Sequence, residues 1–397
     1  MAKLNETPRA NRIHIGFFGK RNSGKSSLIN AFTKQEISIV SDTPGTTTDP
    51  VYKSMEILPL GACVLIDTAG FDDIGELGEI RVEKTKIAAE KTDIAVILIS
   101  GNDFEYETKW YKYFTERKTP VMLCASKADE IEDISAYVQR IKGIFNKTPI
   151  VLSSSTGEGI DRFKETLVRL LPEDYNSGSI TGSLCGEGDT VLLVMPQDIQ
   201  APKGRLILPQ VQTLRELLDK KCIVSCCTTD KLDDALLAAS QPPKLIITDS
   251  QVFKTVYEKK PEKSMLTSFS TLFAGYKGDL SYYIEGARAI DSLNENSRIL
   301  IAECCTHAPL SEDIGREKLP RLLRKRLGDS LKIDFVSGSD FPDDLSGYDL
   351  VIQCGACMFN RKYVMSRIDR AKEQGVKMSN YGVVIAALSG ILDKINY

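Results

Sequence analysis

The chain is long enough for two or three domains and has the composition of an ordinary globular protein. Its 397 residues are 42% hydrophobic and 26% charged, with a formal net charge of −3. This acidic balance argues against a constitutive nucleic-acid binder, which usually has a basic face. Because the sequence shows no signal peptide and no apolar stretch of about 18 residues, we expect a cytoplasmic protein without a membrane span.

The first predicted strand and the first predicted helix enclose a phosphate-binding pattern. An apolar run at 13–18 predicts the strand, and residues 27–32 predict the helix. The sequence between them, GKRNSGKS, fits the P-loop pattern G-x-x-x-x-G-K-[ST]. Backbone N–H groups of such a loop face the phosphates, the lysine reaches the β- and γ-phosphates, and the serine holds Mg²⁺. The predicted nucleotide-binding residues of this segment are Gly19, Asn22, Ser23, Gly24, Lys25, Ser26 and Ser27.

Two further motifs are typical of the γ-phosphate side of a GTPase site. An apolar strand at 62–66 ends in Asp67-Thr-Ala-Gly70, where the carboxylate could hold the Mg²⁺ shell and the glycine N–H could sense the γ-phosphate. The earlier segment PGTTTD, at 44–49, predicts a switch loop in which Thr47 completes the Mg²⁺ shell when the γ-phosphate is present. A plain polar turn is the alternative for this segment.

The last two motifs predict the base side of the site and a preference for GTP. Ser126-Lys127-Ala-Asp129 follows a strand at 120–125, and Ser153-Ser154 follow a strand that ends at residue 152. The Asp129 carboxylate would accept hydrogen bonds from N1 and N2 of guanine, a donor pair that adenine lacks. Ser126 stands where asparagine is usual, a departure that could weaken base binding. Each motif is weak by itself, but four in order, each after a strand, favour a GTPase.

The pattern resembles the TrmE/Era-like GTPases, whose switch has Gly-Thr-Thr-x-Asp and whose phosphate loop has asparagine at the position of Asn22. In potassium-activated members that asparagine helps to bind K⁺ beside the phosphates. Residue 71 is Phe, so a glutamine that could orient the attacking water is missing there. The resemblance implies that K⁺ takes the arginine-finger position and that Glu79 orients the water. A solvated acid at a helix start is the alternative for Glu79.

The rest of the chain predicts two more α/β domains. A Gly/Ser-rich segment indicates a linker, and beyond it buried strands alternate with helices, which indicates parallel sheets. We therefore expect an α/β fold with a P-loop GTPase domain, whose sheet is mixed but mostly parallel, and two smaller parallel-sheet domains. The first of these is a candidate for dimerisation because it has only about 75 residues. The expected boundaries are 1–172 for the GTPase domain, 173–189 for the linker, 190–263 for the small domain and 264–397 for the third domain.

Two cysteine-bearing loops follow predicted strands of the third domain. The chain has ten cysteines, and in a cytoplasmic protein they are not expected to form a disulfide framework. Ligands in open α/β sheets gather at the carboxyl ends of strands, so the two loops could share one site. Residue chemistry favours an iron–sulfur cluster on three thiolates and a zinc ion on four ligands about equally. A redox disulfide between Cys354 and Cys357 comes third. The candidate ligands are Cys305, His307, Cys354 and Cys357.

The order of GTPase domain, small α/β domain and Cys-x-His … Cys-x-x-Cys resembles the FeFe-hydrogenase maturation GTPases, the HydF family, over essentially the whole chain. Further matching segments lie at 201–212, 273–280 and 303–307. That family binds a 4Fe-4S cluster and carries a di-iron precursor with CO and cyanide ligands as cargo. The resemblance implies that the cluster thiolates here are Cys305, Cys354 and Cys357.

One residue departs from that family's pattern. The usual histidine before Cys-x-x-Cys is Gln353 here, and a neutral amide is a poor iron ligand. The fourth iron is therefore left to His307, to water or to no ligand. An exchangeable fourth position would suit a carrier, because an incoming ligand could occupy it.

The resemblance implies a metal-binding scaffold that hydrolyses GTP, uses Mg²⁺ and K⁺, and forms a homodimer. It also implies the FeFe-hydrogenase apo-enzyme and radical-SAM maturases as partners. The alternative is an Era/TrmE-like GTPase in tRNA modification or ribosome assembly, with a structural zinc site. Such proteins usually add a basic or aromatic-rich RNA-binding module, and the third domain has neither in an obvious way. Its basic segment 316–326 most simply forms a solvated helix face.

Overall fold

The structure is a computed structural model, and it divides the chain into two units, residues 1–177 and 178–397. For residue 56 and residues 76–81 only the backbone is described. The described residues are 12–33, 50–57, 61–70, 76–171, 178–196, 206–304, 314–338, 340–356 and 359–397.

The first unit is a mixed, mostly parallel sheet with helices on both faces. The strand order is β2-β3-β1-β4-β5-β6, and only the β2–β3 pair is antiparallel. The strands are β1 (Ile13–Phe18), β2 (Val51–Ile57), β3 (Gly61–Asp67), β4 (Ile94–Ile99), β5 (Val121–Ala125) and β6 (Ile150–Val151). The helices are α1 (Lys25–Thr33), α2 (Glu76–Glu90), α3 (Glu105–Glu116), α4 (Ile134–Phe145) and α5 (Ile160–Arg169).

Strand β1 is buried on both faces because helices cover both sides of the sheet. Alternate residues point to opposite faces. Ile15 and Phe17 pack into a core that contains Leu28 of α1. Phe18 packs into a second core and stacks on Trp110 of α3, with 5.5 Å between ring centroids. This two-sided burial fixes β1, so the loop that follows it leaves the sheet at a defined point on the carboxyl edge.

The second unit contains two four-stranded sheets, and all their strand pairs are parallel. The first sheet has the order β10-β9-β7-β8 and the second the order β12-β11-β13-β14. The strands are β7 (Thr190–Val194), β8 (Ile223–Cys227), β9 (Leu245–Thr248), β10 (Met265–Ser268), β11 (Arg298–Glu303), β12 (Lys332–Ser337), β13 (Leu350–Gln353) and β14 (Lys377–Asn380). The helices are α6 (Leu208–Asp219), α7 (Leu232–Ala238), α8 (Phe253–Lys259), α9 (Phe269–Lys277), α10 (Leu280–Arg288), α11 (Leu319–Leu327), α12 (Arg361–Glu373) and α13 (Tyr381–Leu388).

These three sheets confirm the predicted fold class: the first is mixed and mostly parallel, and the other two are parallel. None of the helices in the described ranges is long and apolar enough to cross a bilayer. The two sheets of the second unit share one hydrophobic core, in which Val194 and Ile246 of the first sheet belong to the same cluster as Ile299 and Ile301 of the second.

The structure differs in detail from the boundaries expected inside this unit. Strand β10 starts at Met265, beyond the expected boundary at 263/264, yet it pairs in parallel with β9 and completes the first sheet. In the segment expected to be a linker, Ile180 and Cys185 are buried in the core beneath that sheet. Both differences arise because pairing and burial join residues that are distant in sequence, and local composition does not report such contacts.

Glu216 of α6 holds the segment at 178–182, the first residues of the second unit, against that helix. Its carboxylate accepts hydrogen bonds from the N–H groups of Ile180, at 2.5 Å, and Thr181, at 2.9 Å. The Ser179 hydroxyl donates a third, at 2.8 Å. Burial would raise the pKa of Glu216, but these hydrogen bonds outweigh it and keep the pKa below its ordinary value. The charged carboxylate therefore stabilises a segment whose Gly/Ser-rich composition predicts a linker.

Replacement of Glu216 by glutamine should destabilise the second unit by about 2 kcal/mol near neutral pH, because the charged acceptor is lost. Urea unfolding measures this. The pKa of Glu216 is lowered by folding, so its contribution is present above the ordinary glutamate range and disappears as the pH falls through the folded value. The gap between wild type and Glu216→Gln should therefore narrow in acid. Glu187→Gln, which breaks an exposed pair with Lys221, is the matched control and should change stability by less than about 0.5 kcal/mol. Equal stability of wild type and Glu216→Gln at neutral pH would contradict the role of Glu216.

Candidate functional site

The phosphate loop lies between β1 and α1 and curls around the ammonium group of Lys25. The Lys25 Nζ donates hydrogen bonds to the carbonyl oxygens of Gly19, at 2.9 Å, and Lys20, at 2.8 Å. Lys25 is buried. Gly24 has φ of +90°, in the left-handed region that favours glycine, and Asn22 has φ of +55°, which asparagine tolerates. The loop is therefore already curved in the way that phosphate binding requires.

Ser26 of α1 and Asp67 at the end of β3 meet beside this loop. The Ser26 hydroxyl donates a hydrogen bond to Asp67 Oδ2 at 2.7 Å. A hydroxyl and a carboxylate are hard oxygen ligands of the kind that Mg²⁺ takes, so these residues fit the ion that the sequence predicts. A Cβ at Gly70 would lie 2.7 Å from the Arg21 backbone nitrogen, so only glycine allows this close approach to the loop.

Ser126 joins the base side of the site to the phosphate loop. Its hydroxyl donates a hydrogen bond of 2.7 Å to the Ser23 carbonyl, and both side chains are buried. The departure from asparagine therefore leaves a cross-link between the two loops in place. The Ser23 hydroxyl itself is buried and has no hydrogen-bond partner within the described ranges. A bound ligand or ion is one explanation for such an atom.

Asp129 is held by the serine loop that follows β6. The Ser155 hydroxyl donates a hydrogen bond to Asp129 Oδ2 at 2.7 Å, and the Ser153 hydroxyl lies 2.9 Å from that of Ser155. Hydrogen bonds from the Ser153 and Ser155 hydroxyls lower the pKa of Asp129. The carboxylate is therefore ionised and oriented at neutral pH, as an acceptor for two donors must be. Lys127, with φ of +59°, turns the chain at this point.

Ser155 was not predicted as a site residue, although it directly follows the predicted pair Ser153-Ser154. The signal was the run of three serines after a strand. Ser154 itself is half-buried, and Ser27 lies in the first turn of α1. The structure thus brings the phosphate loop together with Asp67 and Gly70 and with the loops of Ser126 and Ser153. Thr47 and Phe71 lie outside the described residues, and for Glu79 only its place in α2 is described, so these predictions stay predictions.

A second polar edge lies at the carboxyl ends of β11 and β13, which are neighbours in their sheet. The backbone N–H of Cys304 donates a hydrogen bond of 3.1 Å to Cys354 Sγ. Such N–H···S contacts stabilise a thiolate and tune a metal bound to it. Within the described ranges no group of three or more potential metal ligands is found. The other candidate ligands, Cys305, His307 and Cys357, lie outside those ranges.

The Cys304 side chain is buried beside a cation. Arg367 Nη1 lies 3.9 Å from Cys304 Sγ, and Nη2 of the same guanidinium donates to the Gly338 carbonyl at 2.6 Å. Arg367 is only 1% exposed and stacks against the rings of Phe341, 4.6 Å away, and Tyr363, 4.8 Å away. Carbonyl and aromatic partners of this kind compensate a buried guanidinium. Cys304 thus belongs to an interior cluster.

Gln353, the last residue of β13, directly precedes Cys354. Its side chain is fully buried, and neither atom of its amide has a hydrogen-bond partner in the part of the chain that is described. Leaving such a group unpaired costs about 1–3 kcal/mol. Gln353, where the sequence departs from the resembled family, is therefore also a buried amide that no described residue satisfies.

Comparison with known proteins assigns all three parts of the chain. Residues 14–127 match the family described as 50S ribosome-binding GTPase. Residues 180–278 match the hydrogen maturase F dimerization domain, and residues 281–396 match the hydrogen maturase F tetramerization domain.

The curated relatives resemble the first unit. GTPase Der of Wolinella succinogenes is 33% identical over 179 residues, which are 42% of this chain and 37% of that protein. The tRNA modification GTPase MnmE of Nitrosomonas eutropha is 32% identical over 179 residues, 44% of this chain and 37% of that protein. The chain thus spans little more than a third of the length of these relatives. Among solved structures, Era in complex with MgGDPNP and a 16S ribosomal RNA segment is 18% identical, covering 54% of this chain and 92% of that chain, with a TM-score of 0.37.

The match to a GTPase domain alone leaves many families open, because such domains occur in proteins as different as Der and MnmE. The two hydrogen maturase F domains that follow it in order are what distinguish the chain. With its GTPase domain and both of these domains, the chain belongs to the hydrogen maturase F family, HydF.

Proposed function

We propose that this protein is a scaffold that hydrolyses GTP and binds a 4Fe-4S cluster, and that it assembles or delivers the di-iron precursor in FeFe-hydrogenase maturation. The observation that carries the proposal is the joining of two sites in one chain. One is a phosphate loop whose Ser26 bonds Asp67 and whose Ser23 carbonyl accepts a hydrogen bond from the loop that contains the guanine-type carboxylate. The other is the cysteine edge of a HydF-family domain.

The charges of the first site suit a nucleoside triphosphate with Mg²⁺. The Lys25 ammonium group donates hydrogen bonds to two loop carbonyls. Phosphate oxygens are charged and would accept stronger hydrogen bonds from it. Ser26 and Asp67 would hold Mg²⁺, which supplies positive charge next to the phosphates. The Ser23 hydroxyl would gain a partner from a phosphate oxygen. All these groups are fixed before the ligand arrives, so little reorganisation is needed.

Asp129 gives the site its preference for guanine. The carboxylate is exposed, ionised and oriented by Ser155, so it can accept from two donors of one base edge. Adenine presents no such pair of donors and would leave the carboxylate unsatisfied. Selection therefore rests on one charged acceptor whose position is set by the serine loop.

Asp129→Asn should weaken GTP binding at least about tenfold, because it removes the charge that strengthens both hydrogen bonds to the base. ATP binding should not improve. Titration with both nucleotides measures this, and Glu132→Gln, an exposed carboxylate three residues along the chain, is the matched control that should bind GTP normally. Unchanged GTP affinity in Asp129→Asn would mean that the base is recognised elsewhere.

The site supports a role for K⁺ in hydrolysis. Position 71 has Phe, so a glutamine to orient the water is missing there. Asn22 lies in the curved part of the phosphate loop, where an amide oxygen could bind a cation beside the phosphates. A cation there would neutralise charge that develops on the phosphates in the transition state. We propose Thr47 as the switch ligand of Mg²⁺ and Glu79 as the residue that orients water.

GTP hydrolysis should be slow and about tenfold faster in K⁺ than in Na⁺ at equal ionic strength. Asn22→Gly should abolish the difference, because glycine keeps the positive φ while removing the amide. The comparison is a steady-state phosphate-release assay in the two salts. Equal rates for wild type in both salts would eliminate the potassium proposal and leave the GTPase proposal standing.

The second site supports iron–sulfur binding through the environment of Cys354. Its sulfur accepts a backbone N–H, which favours the thiolate, and its loop leaves the sheet next to the loop that follows Cys304. We propose Cys305, Cys354 and Cys357 as the cluster ligands, with His307 or an exchangeable ligand at the fourth iron. A cluster bound there would supply an iron site at which the di-iron cargo could attach.

Cys305→Ser, Cys354→Ser and Cys357→Ser should each lose most of their iron after anaerobic reconstitution, because the hydroxyl is a poor iron ligand at neutral pH. Cys304→Ser should keep its iron, since the Cys304 sulfur is buried near Arg367. Iron counting and EPR of the reduced samples give the result. Lys25→Ala is a control for the other site and should keep its iron. A cluster lost in Cys304→Ser but kept in Cys305→Ser would contradict the ligand assignment, and zinc in place of iron in wild type would overturn the scaffold proposal.

An open sheet edge supports the proposed homodimer. Strand β8 is at the edge of its sheet, and Ile223 in it is 60% exposed, with Cys226 also exposed. An exposed edge strand offers unpaired backbone groups to a second chain. This strand lies within the region that matches a dimerization domain. We propose the FeFe-hydrogenase apo-enzyme and radical-SAM maturases as further partners.

A further inference from the structure

Lys20, the second residue of the phosphate loop, is fastened to the start of α3 by groups that the nucleotide site does not use. Its Nζ donates hydrogen bonds to the Asp103 carbonyl, at 2.5 Å, and to Asp103 Oδ2, at 3.1 Å. Glu107 Oε2 lies 3.7 Å from the same nitrogen. The Lys20 carbonyl, in turn, accepts one of the hydrogen bonds of Lys25. The side chain of Lys20 thus anchors the backbone that holds the phosphate-binding lysine.

Glu107 is an unusual neighbour for this lysine. It is fully buried on the core side of α3, and neither of its carboxylate oxygens has a hydrogen-bond partner in the described ranges. A buried charge without a partner is strongly destabilising, so an apolar residue would be the expected choice at a purely structural position. The cation that lies within ion-pair distance is Lys20. Burial raises the pKa of Glu107 to about 7, with Lys20 opposing the rise.

The surroundings of Glu107 come from three elements. Lys20 faces it from the phosphate loop and favours the carboxylate, whereas Asp103, just before α3, disfavours it. Tyr137 faces it from α4, and burial together with Glu107 raises the pKa of that phenol. The Tyr137 hydroxyl donates to the Gly101 carbonyl, and Arg140 of the same helix acts on that phenol in the opposite direction.

We propose that Asp103 and Glu107 clamp Lys20, and that this clamp positions the phosphate loop for the nucleotide. Lys20 is then a positioning residue, acting through its own carbonyl on Lys25. Asp103 is exposed and holds the ammonium group from the solvent side, while Glu107 holds it from the core. The proposal rests on the proposed GTP site and adds to it a part of α3 that no phosphate-loop motif contains.

The clamp should tighten as the pH rises through neutrality. Below about pH 7 Glu107 is neutral, and of the two carboxyl groups Asp103 is the one that pairs with Lys20. Above it, Glu107 is ionised and pairs with the ammonium group. A carboxyl whose pKa is raised by folding makes the folded state less stable as the pH rises. The ion pair with Lys20 therefore forms at the expense of folding stability. Glu107→Gln should therefore unfold at the same or a higher temperature than wild type near pH 8.

The test is the affinity of the full chain for GTP between about pH 6 and pH 8 in wild type, Glu107→Gln, Lys20→Ala and Lys20→Arg. Glu107→Gln should bind about fivefold more weakly at the upper pH and like wild type at the lower pH, with kcat unchanged. Lys20→Ala should bind about tenfold more weakly at the upper pH, and Lys20→Arg should restore most of the loss. Glu105→Gln, an exposed acid of the same helix paired with Lys109, is the matched control and should follow wild type.

The combined variant Lys20→Ala/Glu107→Gln separates a clamp from two independent defects. If the two residues act as a pair, the combined loss will be close to that of Lys20→Ala alone, whereas independent effects would add. Identical pH profiles for wild type and Glu107→Gln, or unchanged affinity in Lys20→Ala, would overturn the clamp while leaving GTP binding established. Wild type that binds no GTP at any pH would instead refute the proposed function, and the clamp with it.

Discussion

Parallel strand pairing is the constraint on which both candidate sites depend. In a parallel sheet all strands point the same way, so their carboxyl ends, and the loops that follow them, meet at one edge. In the first unit this brings the loops after β1, β3, β5 and β6 together, although they are spread over more than a hundred residues of sequence. In the second unit the same constraint sets the loop after β11 beside the loop after β13. Helices cover both faces of such sheets and leave the edge as the place where polar groups can collect.

The edge of the first sheet is held together by short hydrogen bonds between its loops. Ser26 bonds Asp67, and Ser126 bonds the Ser23 carbonyl. Each bond contributes only about 0.5–1.5 kcal/mol, and more where a carboxylate takes part. Their larger effect is geometric, because they fix the loops relative to one another before a ligand binds. Because these loops are already ordered, little of the binding free energy is needed to order them when the nucleotide binds.

The features that depend on local sequence pattern were predicted correctly. The phosphate loop, the strands that precede each motif and the alternation of strands and helices could all be predicted, because spacing and hydrophobic periodicity report them directly. Contacts over long sequence distances could not. Glu216 draws in a segment 36 residues away, and β10 completes a sheet across an expected boundary. Lys20 meets Glu107, which lies far along the chain, and no motif specifies the residue type at either position.

The cysteine edge illustrates both sides of this division. The Cys-x-x-Cys motif was visible in the sequence, and the α/β pattern indicated that the two cysteine-bearing loops could share one site. The cluster around Arg367 was not predictable, nor was the burial of the Gln353 amide, which has no hydrogen-bond partner among the described residues, because both depend on tertiary packing. Polar groups buried next to a candidate metal site are where local rules are expected to fail, since function places demands there that folding alone does not.

The most direct test of a two-site scaffold is native mass spectrometry of the full chain, purified without oxygen and then mixed with Mg²⁺ and either GTP or ATP. The account predicts that each chain has the added mass of one 4Fe-4S cluster, and that GTP adds one nucleotide per chain while ATP at the same concentration adds none. Chains that contain zinc in place of iron and sulfide, or that take up GTP and ATP equally, would contradict it.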